Sequence, residues 1–129
     1  MTLRPTILLV EDEAHLRAAV GRVLTGAGYT VIAASGGEAA LELYESAKEI
    51  ALLVTDVRLP DMYGRRLAHR LLEDRPTRRL PVLYVSGHPA EIAMDTPLSE
   101  SERFLQKPFE FPDLLALVRE LLATASTTE

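Results

Sequence analysis

Four short polar runs carry the side chains best suited to chemistry: Glu11-Asp12-Glu13, Asp56, Ser86-Gly87-His88 and Gln106-Lys107-Pro108. Each follows directly on an apolar, strand-like stretch. Acidic groups gathered together repel, and each raises the pKa of the others unless a cation compensates. Magnesium is suited to this, because it takes oxygen ligands, keeps several waters and uses one or two carboxylates plus phosphate oxygens. Lys107 offers a compact cation that can balance remaining charge or hold a phosphoryl oxygen. Ser86 offers a rotatable hydroxyl donor to a tetrahedral oxyanion. Phosphoryl transfer needs little beyond such positioning and charge stabilisation, and the Asp56 carboxylate is a competent nucleophile for it. Taken singly, an Asp or Ser after a strand is most often a helix cap. Capping does not explain four polar runs at one end of a sheet.

The elements that must position these residues alternate along the chain. Ile7-Leu-Leu-Val10 is a bounded apolar run, too short for a helix of its own and consistent with a buried parallel strand. From Glu13 to about Ala27, Leu16, Ala19, Val20, Val23 and Leu24 recur at three- and four-residue spacing, one helical stripe that Gly26 and Gly28 end. Tyr29 to Ala33 is β-branched and strand-like. Ser35-Gly-Gly-Glu38 has the form of a capping box opening a helix with Ala40, Leu41 and Tyr44. Ala51 to Thr55 reads as a strand, Arg65 to Glu73 as a helix with Leu67, Leu71 and Leu72 inward, and Pro81 to Val85 as a fourth strand. Phe104-Leu105 is the remnant of a short fifth strand, and Pro112 to Ala123 forms the last helix. Between His88 and Ser101, Pro89 and Pro97 leave room only for a short or irregular fourth helix. Repeated βαβ units mean an α/β fold with a parallel sheet covered on both faces. They give one domain over residues 1–123 and a polar, frayed tail over 124–129. In such a sheet, ligands bind beyond the carboxyl ends of the strands, where all four polar runs fall.

Composition narrows the classes further. Hydrophobic residues make up 47% of the 129 and aromatic ones only 5%, so the core is aliphatic. The absence of cysteine excludes disulfides, thiolate metal sites and a thiol nucleophile. The formal charge of −5 argues against nucleic-acid binding as the main task. Arg65, Arg66, Arg70, Arg75, Arg78 and Arg79 cluster in sequence, and they read as solvated surface before they read as a docking patch. No apolar run nears the roughly 20 residues that span a bilayer. The N-terminus lacks the apolar core of a secretory signal. A soluble, cytoplasmic protein without membrane insertion is expected.

At this point the sequence resembles the receiver domains of bacterial two-component response regulators. The resemblance runs from Ile7 to Leu122 and rests on Glu11-Asp12, Asp56-Val-Arg-Leu-Pro60 with Gly64, Ser86-Gly87, and Lys107-Pro108-Phe109. It implies a flavodoxin-like, doubly wound five-stranded sheet of order 2-1-3-4-5. It implies that Asp56 is the phosphoacceptor, with Mg2+ (or Mn2+ in its place) ligated by Asp12, Asp56 and the Arg58 carbonyl, and by Glu11 through water. Ser86 is similar to the switch hydroxyl and Lys107 to the family's lysine, whose bond to Pro108 is often cis. Phe104 holds the aromatic switch position, and Arg58 and His88 hold positions that tune phosphoryl lifetime. The partners implied are a histidine kinase or histidine phosphotransfer protein upstream. Downstream, a partner protein would dock on the fourth helix, fifth strand and fifth helix of a monomer or weak dimer. The motif flavour is similar to receivers attached to hybrid histidine kinases, and also fits a single-domain regulator.

Some positions depart from the commonest pattern. Glu11 stands where Asp is frequent, Ser86 where Thr is frequent, and Phe104 where Tyr is common. His15 and His69 read as surface or partly packed helix residues, and only after that could His15 be read as lining the site's edge. Three other readings compete. An aspartyl-nucleophile phosphatase wants a second acid two residues past the nucleophile, where this chain has Arg58. A nucleotide or flavin binder wants a Gly- or Ser/Thr-rich loop after strand one, where this chain has Glu11-Asp12-Glu13. The third is a receiver-like module that is never phosphorylated and only binds a partner.

Overall fold

The computed structural model describes residues 4–46, 49–73, 80–88 and 98–127. Its strands are the bounded apolar runs of the sequence: β1 (Thr6–Val10), β2 (Thr30–Ala34), β3 (Leu52–Asp56), β4 (Val82–Ser86) and β5 (Glu102–Gln106). The amphipathic stretches between and after them are α1 (Ala14–Gly26), α2 (Gly37–Ser46), α3 (Gly64–Glu73) and α4 (Phe111–Thr127). All strand pairs are parallel, and the sheet order is β2-β1-β3-β4-β5. This is the flavodoxin-like arrangement, with strand order reversing between β1 and β3.

Alternate strand residues feed two separate cores. Leu8, Val10, Leu53, Val82 and Tyr84 pack with Ala40 and Tyr44 of α2 and Leu67 and Leu71 of α3. Ile7, Leu9, Leu52, Val54, Leu83 and Val85 pack with Val20 and Leu24 of α1 and Leu114, Val118 and Leu121 of α4. The central strands β3 and β4 are buried along their whole length, which explains why they read as unbroken apolar runs rather than alternating ones.

Local chemistry sets most element boundaries. Glu13 caps α1, its carboxylate accepting from the backbone N–H groups of His15 and Leu16, which holds its pKa below the usual carboxylate range. Gly28 adopts φ 104° just past the end of α1, a left-handed turn that favours glycine. Three expectations need revision. β5 is a full five-residue strand rather than a remnant, because Glu102 and Arg103 at its start pair in register with Val82 and Leu83. α4 begins at Phe111 and continues to Thr127, past Ala123, with the Thr124 hydroxyl donating to the Glu120 carbonyl on the way. The start of α2 is capped by a residue from another loop, described below. The helix expected between His88 and Ser101 falls largely on residues 89–97, and Arg75, Arg78 and Arg79 on 74–79; both stretches lie outside the described residues.

Candidate functional site: the carboxyl ends of β1, β3, β4 and β5

Strand register brings the four polar runs level. Val10 pairs with Thr55, so Glu11 follows β1 at the height of Asp56, the last residue of β3. Asp56 pairs with Val85, and Ser86, the last residue of β4, pairs with Gln106. Lys107 lies one step further, where its N–H donates to the Ser86 carbonyl at 2.8 Å. The peptide bond to Pro108 is cis, as the family resemblance implied.

The centre of the site is an ammonium between two buried carboxylates. Lys107 Nζ lies 2.8 Å from Asp56 Oδ1 and 3.1 Å from Glu11 Oε1. Glu11 and Asp56 are 4% and 5% exposed, so water screens neither well. Glu11 is held on both sides. Its Oε2 accepts from the Glu13 N–H at 2.9 Å, and its carbonyl accepts from the Arg17 guanidinium at 2.9 Å. Burial pushes the Asp56 carboxyl up to about 7; Lys107 opposes the rise and the Glu11 charge adds to it. Burial alone would lower Lys107, but Asp56 and Glu11 outweigh it and push its pKa above the ordinary lysine value.

One oxygen in this cluster leans on a single partner: Asp56 Oδ1 is fully buried, with the Lys107 ammonium at 2.8 Å. A buried carboxylate oxygen with one cationic partner keeps capacity for another. Glu11, Asp12 and Asp56 present carboxylate oxygens within 4.8 Å of one another. An oxygen-only set of this kind, with one open oxygen and the exposed Asp12 facing solvent, fits a hard divalent cation such as Mg2+ or Mn2+.

The surrounding residues fall into place around this centre. Ser86 is buried, and its hydroxyl accepts from the His88 N–H at 3.0 Å and lies 3.3 Å from the His88 carbonyl. His88 is exposed at the rim. Arg58 is also exposed, its guanidinium 6.0 Å above the Tyr63 ring. Phe104 is half-buried on β5 beside Tyr84 of β4 and packs on the core shared with α2 and α3. His15 and His69 are surface residues, each within 3.5 Å of a neighbouring glutamate.

Sequence reasoning missed Asp61. This exposed acid reaches across to the start of α2, where Oδ1 accepts from the Gly37 N–H and Oδ2 from the Glu38 N–H, each at 2.9 Å. These two bonds hold its pKa below the ordinary value. They replace the local capping box expected from Ser35 and Glu38. The overlooked signal was Gly36-Gly37: a Cβ on Gly36 would fall 3.2 Å from Asp61 Oδ1, and one on Gly37 would fall 2.5 Å from Met62. Two adjacent glycines at a helix start leave space for an incoming chain.

A five-stranded parallel sheet with an acid–lysine cluster beyond the carboxyl ends of its strands defines a doubly wound α/β domain, and comparison with known proteins supplies the family. Residues 7–119 match the family model of the response regulator receiver domain. The chain is 37% identical over 119 residues to the sensor kinase CckA of Brucella abortus (strain 2308), covering 91% of this chain and 12% of that kinase. It is 32% identical over 121 residues to the response regulator receiver protein CpdR of the same organism, covering 92% of this chain and 98% of CpdR. Among solved structures, the receiver domain of the hybrid histidine kinase CckA matches at 33% identity and TM-score 0.75, covering 91% of this chain and 98% of that one. A response regulator receiver protein from Sinorhizobium medicae WSM419 matches at 32% identity and TM-score 0.82, covering 95% of this chain and 97% of that one. The chain belongs to the response regulator receiver family and is a receiver domain of two-component signalling. It therefore spans about an eighth of the CckA kinase and nearly the whole of CpdR. No described helix is long and apolar enough to cross a membrane.

Proposed function

We propose that this receiver takes a phosphoryl group onto Asp56 from the phosphohistidine of a histidine kinase or histidine phosphotransfer protein. The observation that carries the reading is the buried Asp56 carboxylate, held 2.8 Å from Lys107 and within 4.8 Å of Glu11 and Asp12. An Asp56 oxygen attacks phosphorus, the bond from phosphorus to the donor imidazole breaks, and the imidazole leaves with the electron pair. The product is an acyl phosphate on Asp56. Asp12, Asp56 and the Arg58 carbonyl, with Glu11 through water, would hold Mg2+, which would neutralise charge on the phosphoryl oxygens. Lys107 holds a phosphoryl oxygen at its ammonium once the acceptor carboxylate is esterified. The Ser86 hydroxyl exchanges its bonds to the His88 backbone for one to the phosphoryl group. Arg58 and His88 flank the acceptor and set how readily water reaches it.

The chain acts as a phosphoacceptor that assists its own modification rather than as an enzyme with a separate substrate. Its output is a population shift, read by a partner protein at the face made by the segment before β5, β5 with Phe104, and α4. We place it in the cytoplasm, as a monomer or weak dimer. An aspartyl-nucleophile phosphatase is disfavoured because Arg58, not an acid, stands two residues after Asp56.

Acetyl phosphate or beryllofluoride, added with and without Mg2+, tests the reading. A Mg2+-dependent acyl phosphate on wild type that is absent from Asp56→Asn is expected. No Mg2+-dependent change in wild type, or the same change in Asp56→Asn, would defeat it. Equal partner affinity for both forms would defeat only the switching part.

A further inference from the structure

The loop after β3 folds back on itself as a miniature hairpin. The Gly64 N–H donates to the Val57 carbonyl at 2.7 Å, Arg58 bridges Tyr63, and the Leu59 N–H donates to the Met62 carbonyl at 3.0 Å. Pro60 and Asp61 form its tip. Its base is pinned against the acceptor, because Gly64 lies on the Asp56 carbonyl so closely that no Cβ would fit there. The tip is pinned by α2 through the two bonds from Gly37 and Glu38 to Asp61, with Met62 seated on Gly37. Arg58 lies on the arm between these two fixed points.

We infer that Asp61 is a positioning residue for phosphorylation: by bolting the hairpin tip to the N-terminus of α2, it fixes the backbone of Arg58 beside Asp56. The inference rests on the metal-dependent reading of Asp56 given above. A short hairpin held only at its base pivots, and a carbonyl ligand on its arm moves with it. Held at both ends, the arm is set before the cation arrives, so binding carries no cost for ordering it. The positive end of the α2 dipole favours the ionised Asp61 carboxylate, which keeps the bolt closed at neutral pH. Asp61 is committed to α2 and is not one of the three acids that gather around Asp56.

The test uses the full chain as wild type, Asp61→Ala, Asp61→Asn and Asp56→Asn. Calorimetry measures Mg2+ binding without any phosphodonor, and acetyl phosphate labelling measures the Mg2+ concentration for half-maximal phosphorylation. Asp61→Ala should weaken Mg2+ about tenfold in both, as loss of a group that orients a metal ligand does. Its labelling rate at saturating Mg2+ should stay within about twofold of wild type. Asp61→Asn keeps the shape and one acceptor oxygen, so it should lie between the two and remain folded even if the alanine variant does not. Lower melting temperatures with unchanged Mg2+ midpoints would overturn the inference and leave a purely structural cap. A wild type that neither binds Mg2+ nor labels would instead defeat the function proposed for Asp56, and the positioning role with it.

Discussion

Asp56 ends β3 and Asp61 lies five residues on, in the loop that follows, and their surroundings push them in opposite directions. Asp56 is buried, has the Lys107 ammonium at 2.8 Å, and has its pKa pushed up to about 7 by burial. Asp61 is exposed, has both oxygens filled by backbone N–H donors, and has its pKa held down. The first leans on a shared cation, the second on two directed backbone donors of its own. On the function proposed above, chemistry belongs to Asp56, because a cation or phosphoryl group would take up the capacity its oxygens keep. The satisfied group supplies rigidity to its neighbour.

The largest effect should come from removing what compensates Asp56. Lys107→Met leaves two buried carboxylates without their shared cation, a change that costs about 2–3 kcal/mol for a partly exposed pair. Asp56 can relieve the strain by holding a proton, so the loss should be greatest at pH 8 and shrink towards pH 5. Denaturant unfolding at both values measures it. An equal loss at the two would mean that the ammonium does not serve the Asp56 charge.

The opposite pKa shifts give opposite linkage. A folded pKa near 7 against an ordinary 3.8 means that native Asp56 keeps a proton the unfolded chain has released. Its contribution therefore falls as pH rises from about 4 to 7. In metal-free protein, Asp56→Asn should be more stable than wild type at pH 8 by about 1–2 kcal/mol, after discounting for water at the rim of the site. The gain should vanish near pH 4. Asp61 runs the other way, because its folded pKa lies below the ordinary value: its contribution is present above that value and is lost as pH falls through the folded one. Asp61→Asn should lose a smaller amount of stability at neutral pH and converge on wild type only in acid. Thermal melts of both variants in chelator across pH 3 to 8 check the pair. Curves of the same sign would break the contrast.

The same contrast explains what the sequence could and could not tell. Glu11, Asp56, Ser86 and Lys107 were legible because strand-end position follows from chain order, and parallel strands in register bring their ends level whatever the side chains do between. The sheet order came with the family resemblance, and the sheet covered on both faces followed from strands alternating with helices. Asp61 was not legible because its partners, Gly37 and Glu38, lie 24 and 23 residues away. A local rule, Ser35 with Glu38, offered a nearer answer to the same orphan N–H groups. The length of β5 was hidden for a similar reason. Glu102 and Arg103 look unlike strand residues, yet they pair with the buried Val82 and Leu83, and Glu102 is used by the Tyr84 hydroxyl at 2.9 Å and the Ser99 N–H at 2.9 Å. Long-range satisfaction of polar groups is what single-sequence patterns carry least.

The smallest predicted effect probes how tightly the hairpin tip fits. Gly37→Ala should stabilise α2 by up to about 1 kcal/mol through the lower entropy of the unfolded chain, less at a first-turn position than in mid-helix. Against this, the new Cβ would fall 2.5 Å from Met62 Cγ and Sδ, so Met62 must move. The methionine chain is flexible, and the two contributions should nearly cancel, giving a net change under about 0.5 kcal/mol in the wild-type background. Met62→Ala removes the obstruction, so Gly37→Ala in that background should recover its full helical gain. The double-mutant cycle, measured by denaturant unfolding, should then return a coupling of about 0.5–1 kcal/mol between residues 37 and 62. A coupling of zero would mean that Met62 does not press on Gly37, leaving the two Asp61 bonds as the whole attachment of the tip to α2.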